Sequence, residues 1–220
     1  MSTVLITGAG RGIGLQLTLQ LAARGDTVLA CCRRPTAQLE RAGVRIVDGV
    51  DVTEAEGLAR LVHAVGELPL DVLINNSGIL SSESLRELDI DSIRRQFEVN
   101  ALGPLRVTHA LLGNLGEGGK VAIITSRMGS IADNTSGGRY GYRMSKAAVN
   151  IAGVSLAHDL RSRGISVALL HPGFVATDMT GGMGNYGPSE AAQLLIQRID
   201  DMSPTNSGTF WHASGEVLPW

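Results

Sequence analysis

Tyr142 and Lys146 have the residue types and the spacing for proton transfer, within the segment Tyr-Arg-Met-Ser-Lys. On an α-helix, side chains four positions apart lie one turn apart on the same face. An ammonium held there stabilises a phenolate, so we expect the pKa of Tyr142 to lie below its ordinary value of about 10. Such a tyrosine can exchange a proton with a carbonyl oxygen or an alcohol near neutral pH. Lys146 is one of only two lysines in the chain, and arginine cannot replace a titratable ammonium. The competing interpretation is that Tyr142 and Lys146 simply lie on a solvated helix face.

A glycine-rich turn follows the first apolar segment of the chain. The pattern predicts a strand over Thr3–Thr7, then the turn Gly8-Ala9-Gly10-Arg11-Gly12-Ile13-Gly14, then an amphipathic helix over Leu15–Arg24. Glycines in this context allow a tight turn and let the backbone approach a pyrophosphate, which a helix N-terminus attracts. We therefore predict a dinucleotide cofactor here, with an ordinary turn as the alternative.

The end of the second predicted strand, Thr27–Cys32, is basic where an NAD site has a carboxylate for the ribose 2′-hydroxyl. Here Cys32 is followed by Arg33 and Arg34. A 2′-phosphate has the charge and the acceptor oxygens that a guanidinium matches, and Arg11 in the glycine turn can approach the same phosphate. The sequence predicts NADP(H) as the cofactor, and the alternative is a solvated basic loop end.

Composition limits the class of protein. With 220 residues and no Pro- or Ser-rich linker, we expect one domain over residues 1–220. A formal charge of −2 gives no attraction to nucleic acid or to an anionic membrane. The N-terminus lacks a basic segment followed by a long apolar one, so we expect no signal peptide and a cytoplasmic protein. Adjacent Cys31 and Cys32 match no disulfide or metal spacing and the five histidines are scattered, so we predict reduced buried thiols and no metal site.

Strand and helix patterns alternate along the whole chain. Further strands are predicted over Val44–Val47, Asp71–Asn75, Gly119–Thr125, Ile165–Leu170 and Gly208–His212. Helices are predicted over Glu54–Gly66, Ser92–Leu115, about Tyr142–Arg163 and Ser189–Met202. Within the second of these helices, Asn100 and Pro104 indicate a local distortion. The alternation predicts the α/β class: a doubly wound, Rossmann-type parallel sheet of about seven strands with helices on both faces.

The motifs occur in the order of the short-chain dehydrogenase/reductase family, which the chain resembles along essentially its whole length. The resemblance rests on the Gly-x-x-x-Gly-x-Gly spacing and on Asp51-Val52, Asn75–Gly78, Asn100, Ser126, Tyr142 with Lys146, and Pro172-Gly173. Ser77 stands where the family has alanine and His171 where Asn or Arg is more usual; we interpret His171 and Asn76 as structural. Ser126–Ile131, the Asp133–Gly138 loop and the short C-terminal half are similar to the C-factor-like carbonyl reductase branch.

The resemblance implies a catalytic set of Asn100, Ser126, Tyr142 and Lys146. Tyr142 would protonate the substrate oxygen, Ser126 would orient that oxygen, and Lys146 would lower the tyrosine pKa and bind the nicotinamide ribose. Asn100 would hold a water that links the lysine to solvent, with capping or kink repair as the alternative. Ser130 is the local competitor of Ser126, which the Ser-x-x-Gly pattern favours.

The resemblance also implies contacts along the whole cofactor. Asp51 would accept from the adenine amino group and Val52 would pack on the ring; helix capping is the alternative for Asp51, although Thr53 suits it better. Asn75 and Gly78 would flank the adenosine ribose. The predicted cofactor set is Gly8, Arg11, Gly12, Ile13, Gly14, Arg33, Asp51, Val52, Asn75, Gly78, Tyr142, Lys146 and, beside the nicotinamide, Pro172, Gly173, Val175 and Thr177.

Together these residues predict hydride transfer from NADPH to the carbonyl carbon of a small ketone or aldehyde, with Tyr142 as general acid. The alternatives are an NADP-binding signalling or sensor protein with little turnover, and alcohol oxidation with NADP⁺. Met179–Gly187, with Pro188 after it, is predicted to be a short lid over an open pocket, or else a plain flexible loop. Apolar stripes on Ser92–Leu115 and on the Tyr142 helix predict a homodimer, with a tetramer as the alternative.

Overall fold

A computed structural model describes all residues, 1–220, and consists of one seven-stranded sheet with helices on both faces. All neighbouring strands are parallel, in the order β3-β2-β1-β4-β5-β6-β7. This confirms the predicted doubly wound sheet. The strands are β1 Thr3–Thr7, β2 Thr27–Cys31, β3 Arg45–Val47, β4 Leu70–Asn75, β5 Leu115–Ile124, β6 Ser166–His171 and β7 Thr209–His212.

Two apolar cores cover the two faces of the sheet, because alternate side chains of each strand point to opposite faces. In β1, Val4 and Ile6 belong to one core and Leu5 to the other. The helices are α1 Gly12–Arg24, α2 Ala37–Glu40, α3 Ala55–Val65, α4 Ile90–Phe97, α5 Gly103–Ala110, α6 Tyr140–Asp159 and α7 Pro188–Asp200. Helices α1 and α7 cover the first core, and α3, α5 and α6 cover the second. No helix is both long and apolar enough to cross a lipid bilayer.

The predicted helix Ser92–Leu115 is divided in the structure. Helix α4 begins at Ile90, where the Asp89 carboxylate accepts from Ser92 N at 2.8 Å, and the chain then forms a π-helical turn over Glu98–Leu102. Helix α5 follows with a proline in its first turn, where the missing N–H costs nothing, and ends at Ala110. The predicted distortion is thus confirmed, and the single long helix is wrong.

Helix α6 carries the Tyr-Lys pair and packs closely on the sheet. A Cβ on Gly153 would lie 2.6 Å from the Leu169 side chain of β6, so glycine is needed for this contact. A Cβ on Gly129, in the turn after β5, would lie 2.6 Å from the Lys146 carbonyl carbon. The helix begins two residues before the predicted start and ends at Asp159, and Arg161–Arg163 form a separate 3₁₀ turn.

Candidate active site

A cavity of about 1030 Å³ opens at the carboxyl ends of the central strands, where open parallel sheets bind ligands. It is lined by the loops that follow β1 to β6, together with the first turns of α6. The predicted cofactor residues that line it are Gly8, Arg11, Gly12, Ile13, Gly14, Arg33, Asp51, Val52, Gly78, Tyr142, Lys146, Pro172 and Thr177.

Three predicted cofactor residues do not line this cavity. Asn75 is buried and its amide donates to Thr108 Oγ1 at 3.1 Å, inside the sheet–helix interface. Gly173 has φ 88°, and a Cβ there would lie 2.7 Å from the Tyr186 ring, so the glycine makes room for that ring. Val175 is buried and pairs through its backbone with Tyr186. The structure gives these three residues packing roles.

The glycine turn has the shape that a dinucleotide requires. Gly8 has φ 67°, and a Cβ on Gly14 would lie 2.3 Å from the Gly8 carbonyl oxygen. No side chain caps the N-terminus of α1, and its first turn holds no acidic residue. The N–H groups and the positive end of the helix dipole therefore face the cavity and suit a pyrophosphate. Asn76 has the predicted structural role, since its amide donates to Thr7 O at 3.0 Å and to Gly8 O at 3.2 Å.

The end of β2 is basic and open to solvent. Arg33 and Arg34 both line the cavity. Thr36, which the sequence analysis missed, also lines it: its hydroxyl donates to Gly10 O at 2.9 Å and caps α2 by accepting from Leu39 N. A threonine directly before a short helix is a typical N-cap, and this pattern could have identified Thr36. These groups can hold a phosphate on the ribose of a bound dinucleotide.

Arg11 is not directed at that basic end. Its Nη1 lies 3.3 Å from Asp178 Oδ2, in the loop that follows β6 on the opposite side of the cleft. Both side chains are exposed, and exposed pairs of this kind contribute little stability. In this structure Arg11 thus pairs with Asp178 rather than lying beside Arg33, and its approach to a 2′-phosphate stays a prediction.

Asp51 is held by its own loop. Its Oδ1 accepts from Thr53 N at 3.0 Å and from Thr53 Oγ1 at 2.7 Å, and its Oδ2 lies 3.9 Å from Arg33 Nη1. Burial alone would raise the pKa of Asp51, but the bonds from Thr53 and the Arg33 guanidinium bring that pKa below its ordinary value. Helix α3 has Glu54 as its N-cap, so the expectation that Thr53 caps this helix is wrong.

Tyr142 and Lys146 are both buried at the inner end of the cavity, on the first turns of α6. Lys146 Nζ donates to Ile124 O at 2.9 Å and lies 5.7 Å from the centroid of the Tyr142 ring. Ser126, two residues after β5, is buried; its Oγ accepts from Met128 N at 3.1 Å, and its hydroxyl is near enough to the Tyr142 phenol to favour a lower pKa there. Ser130 is used elsewhere, since its hydroxyl accepts from Asp133 N at 3.1 Å.

Burial dominates the electrostatics of the pair. It raises the pKa of Tyr142, against the opposing effects of the Ser126 hydroxyl and the Arg139 guanidinium. It also lowers the pKa of Lys146 to about 8. The expectation of a tyrosine pKa below 10 is therefore wrong for this structure, because loss of water destabilises the phenolate more than its neighbours stabilise it.

Asn100 lies in the π-helical turn and joins three parts of the site. Its Oδ1 accepts from Ile79 N and its Nδ2 donates to Ile79 O, both at 2.8 Å, and Nδ2 also donates to Ser145 Oγ at 3.0 Å. A Cβ on Gly78 would lie 3.4 Å from Asn100 Oδ1 and 3.8 Å from Lys146 Nζ, so these groups meet at one point. The amide thus fixes the loop after β4 beside α6.

The segment predicted to be a lid is anchored at its far end. Tyr186 N donates to Phe174 O at 3.1 Å, and Ala176 N donates to Tyr186 O at 2.9 Å. Three residues of this segment line the cavity: Met179, Gly182 and Pro188. Pro188 is also the first residue of α7.

His171 lies outside the cavity lining, where burial lowers its pKa to about 3. Its ring packs edge-on against His212, with the ring centroids 5.2 Å apart. A neutral, packed imidazole agrees with the structural role predicted for it.

A Rossmann-type sheet, an uncapped glycine turn and a buried Tyr-Lys pair beside one cleft define a nicotinamide-dependent oxidoreductase. The chain belongs to the short-chain dehydrogenase/reductase family, since the family model described as short chain dehydrogenase matches residues 2–185. Within this family, its similarity to a C-signal protein places the chain in the C-factor-like branch.

Relatives and solved structures agree with this membership. The chain is 46% identical over 226 residues to 1-hydroxy-2-glutathionyl-2-methyl-3-butene dehydrogenase of Rhodococcus sp. (strain AD45), covering 100% of both chains. It is 46% identical over 155 residues to C-signal of Myxococcus xanthus, covering 69% of this chain and 93% of that one. Among solved structures, NADPH-bound carbonyl reductase from chicken fatty liver superposes with a TM-score of 0.90 at 27% identity, covering 100% of this chain and 99% of that one. A carbonyl reductase from Pseudomonas aeruginosa PAO1 superposes with a TM-score of 0.88 at 35% identity, covering 100% of both chains.

Proposed function

We propose that this protein is an NADP(H)-dependent reductase that converts the carbonyl group of an aldehyde or ketone to an alcohol, with Tyr142 as general acid. The observation that carries the proposal is the meeting of Tyr142 and Lys146 with the glycine turn at one cavity, with Ser126 beside the Tyr142 phenol. Carbonyl reductases with NADPH or NADP bound are among the solved structures to which the chain is similar, which supports the same chemistry.

The residues present fit NADPH. The glycine turn and α1 would hold the pyrophosphate, and Arg33 and Arg34 would bind the 2′-phosphate. Cys32 stands where an NAD site has its carboxylate, so no acidic side chain occupies that position. NADPH supplies the hydride when it is bound.

The chain itself handles the proton. Tyr142 donates its phenolic proton to the carbonyl oxygen, and the Ser126 hydroxyl donates a hydrogen bond to the same oxygen and stabilises its developing charge. The Lys146 ammonium stabilises the phenolate that remains. Asn100 connects the loop after β4 to the catalytic helix. We therefore propose that Asn100 helps to hold a proton path that leads from Lys146 to solvent.

The direct test is NADPH consumption with a panel of aldehydes, ketones, quinones and diketones, repeated with NADH. We expect turnover with at least one carbonyl class and a clear preference for NADPH. Tight NADPH binding with no turnover across the panel would contradict the proposal. That result would favour an NADP-binding signalling protein, an alternative suggested by the similarity to C-signal.

Alcohol oxidation is the second candidate, because the full-length relative from Rhodococcus is named for the dehydrogenation of a glutathionyl alcohol. Primary alcohols that carry a glutathionyl group therefore belong in the panel with NADP⁺. The same Tyr142 would then accept the hydroxyl proton, by microscopic reversibility. Comparing the two directions at matched concentrations distinguishes the candidates.

Cofactor preference tests the basic end of β2. Arg33→Asp places a carboxylate where the 2′-phosphate would bind, and also beside Asp51. We expect the Kd for NADPH to rise at least tenfold and the Kd for NADH to change less than threefold. Arg41→Asp, at the exposed C-cap of α2, is the control. Equal weakening of both cofactors in the Arg33 variant would contradict the assignment.

A further inference from the structure

A carboxylate is buried at the start of the catalytic helix, outside the cavity. Glu83, in the segment between β4 and α4, has 4% of its surface exposed. No lysine, arginine or histidine forms an ion pair with it. A buried charge of this kind needs hydrogen-bond donors in place of a counter-charge, so the identity of those donors indicates what it does.

The donors come from α4 and from the first turn of α6. Glu83 Oε1 accepts from Ser92 Oγ at 2.8 Å and from Gln96 Nε2 at 2.5 Å. Its Oε2 accepts from Gly141 N at 3.2 Å, and its backbone carbonyl accepts from Arg139 N at 2.9 Å. One residue therefore holds both the N-cap of α6 and a helical N–H two positions further on.

The N-terminus of α6 has no side-chain cap of its own. The N-cap Arg139 has φ 49°, the only positive φ outside glycine in the chain, and its side chain does not cap the helix. Gly137 and Gly138 before it also have positive φ. A left-handed residue persists only where its surroundings hold it, and a carboxylate at a helix N-terminus satisfies free N–H groups and interacts favourably with the helix dipole.

We propose that Glu83 is a positioning residue for Tyr142, acting through the first turn of α6. Tyr142 directly follows Gly141, whose N–H the carboxylate binds. Close packing transmits the constraint, since a Cβ on Gly141 would lie 2.5 Å from Gln96 Nε2. Displacing a proton donor by about 1 Å is enough to cost on the order of 100-fold in rate. This inference rests on the proposed function, because it needs Tyr142 to be the proton donor.

Glu83→Ala tests the proposal. We expect kcat to fall at least tenfold while the Kd for NADPH stays within twofold, because the glycine turn and the end of β2 do not contact Glu83. Glu83→Gln keeps an oxygen that can accept from Gly141 N, so we expect it to recover most of the lost rate. Glu87→Ala, in the same segment but exposed, is the matched control and should leave kcat unchanged.

Amide hydrogen exchange supplies a readout that does not depend on turnover. In Glu83→Ala the Gly141 and Tyr142 amides should exchange at least tenfold faster, with the sheet amides unchanged. If the wild type reduces no carbonyl, the proposed function fails, and the exchange rates still decide whether Glu83 holds this turn.

The proposal would be overturned by wild-type kcat in Glu83→Ala, by unchanged exchange at Gly141, or by parallel loss of kcat and NADPH affinity. A Glu83→Gln variant as slow as Glu83→Ala would also contradict it. If Glu83→Ala does not fold, Ser92→Ala, which removes one donor to Oε1, replaces it. We then expect a two- to fivefold loss of kcat at constant NADPH affinity, and an unchanged kcat would overturn the proposal.

Discussion

Lys146 is needed as a cation for the proposed chemistry, yet it is buried, with only 4% of its surface exposed. Its ammonium has one hydrogen-bond acceptor, Ile124 O at 2.9 Å, and burial lowers its pKa to about 8. Below that pH the folded protein must carry a poorly solvated charge. The residue therefore reduces the stability of the fold in exchange for its role beside Tyr142.

Lys146→Met removes that cost and changes how stability depends on pH. Between about pH 8 and 10.5 the unfolded lysine binds a proton that the folded one has lost, so the free energy of unfolding of the wild type rises with pH. A pKa shift of that size corresponds to about 3 kcal/mol. We expect the difference in unfolding free energy between wild type and variant to change by this order from pH 7.5 to 10.5, measured by urea denaturation. Parallel curves across this range would contradict the burial argument.

At the level of single residues, the sequence predicted which side chains meet but not how deeply those side chains are buried. The Tyr142–Lys146 spacing correctly placed both on one helix face, but the direction of the tyrosine pKa was wrong because spacing does not report burial. Glu83 was missed entirely. A lone glutamate in an irregular segment has no periodicity, and its partner Gly141 lies 58 positions away in sequence.

Among the elements, the π-helical turn shows what local chemistry can predict. Asn100 and Pro104 are poor residues for a helix interior, and together they indicated a distortion that the structure has at Glu98–Leu102. The break into α4 and α5 was not predictable from the apolar pattern, which continues through it. What fixes the turn is the pairing of Asn100 with Ile79, a contact between distant parts of the chain.

We also propose that Met179–Gly187 acts as a substrate lid. A Cβ on Gly184 would lie 2.2 Å from Ala176 N, so Gly184→Ala must displace this segment. We expect KM for the best carbonyl substrate to rise at least fivefold. Gly187→Ala is the matched control, since nothing lies within 4 Å of its Cβ. If both variants keep the wild-type KM, the segment is not a lid.

For the whole molecule, alternating strand and helix patterns were enough to predict a parallel sheet with helices on both faces, because such a sheet needs both faces covered. The cavity follows from this architecture, since the loops after the strands all reach one edge. The Arg11–Asp178 contact could not be predicted, because it depends on how far two loops lean across the cleft.

We propose that the protein forms a homodimer through α4, α5 and α6. Phe97, Leu105 and Ile151 on these helices are exposed in the single chain, Ile151 by 67%, and apolar surface of this kind favours burial against a second copy. Sedimentation velocity should give twice the chain mass of 23.1 kDa. The double variant Leu105→Asp with Ile151→Asp should give the chain mass, whereas Val62→Asp on α3 should leave the dimer intact. A wild-type mass of one chain would contradict the proposal.

The most direct test of the account is a single-turnover measurement on Tyr142→Phe with NADPH and the best carbonyl substrate. We predict that the hydride-transfer rate falls at least 1000-fold below that of the wild type, which lies in the range of about 10²–10⁴ that general acid catalysis contributes. The Kd for NADPH should stay within twofold of the wild-type value. Tyr140→Phe, two residues earlier on the same helix, should react at the wild-type rate. A Tyr142→Phe rate equal to that of the wild type would contradict the central claim that this phenol supplies the proton.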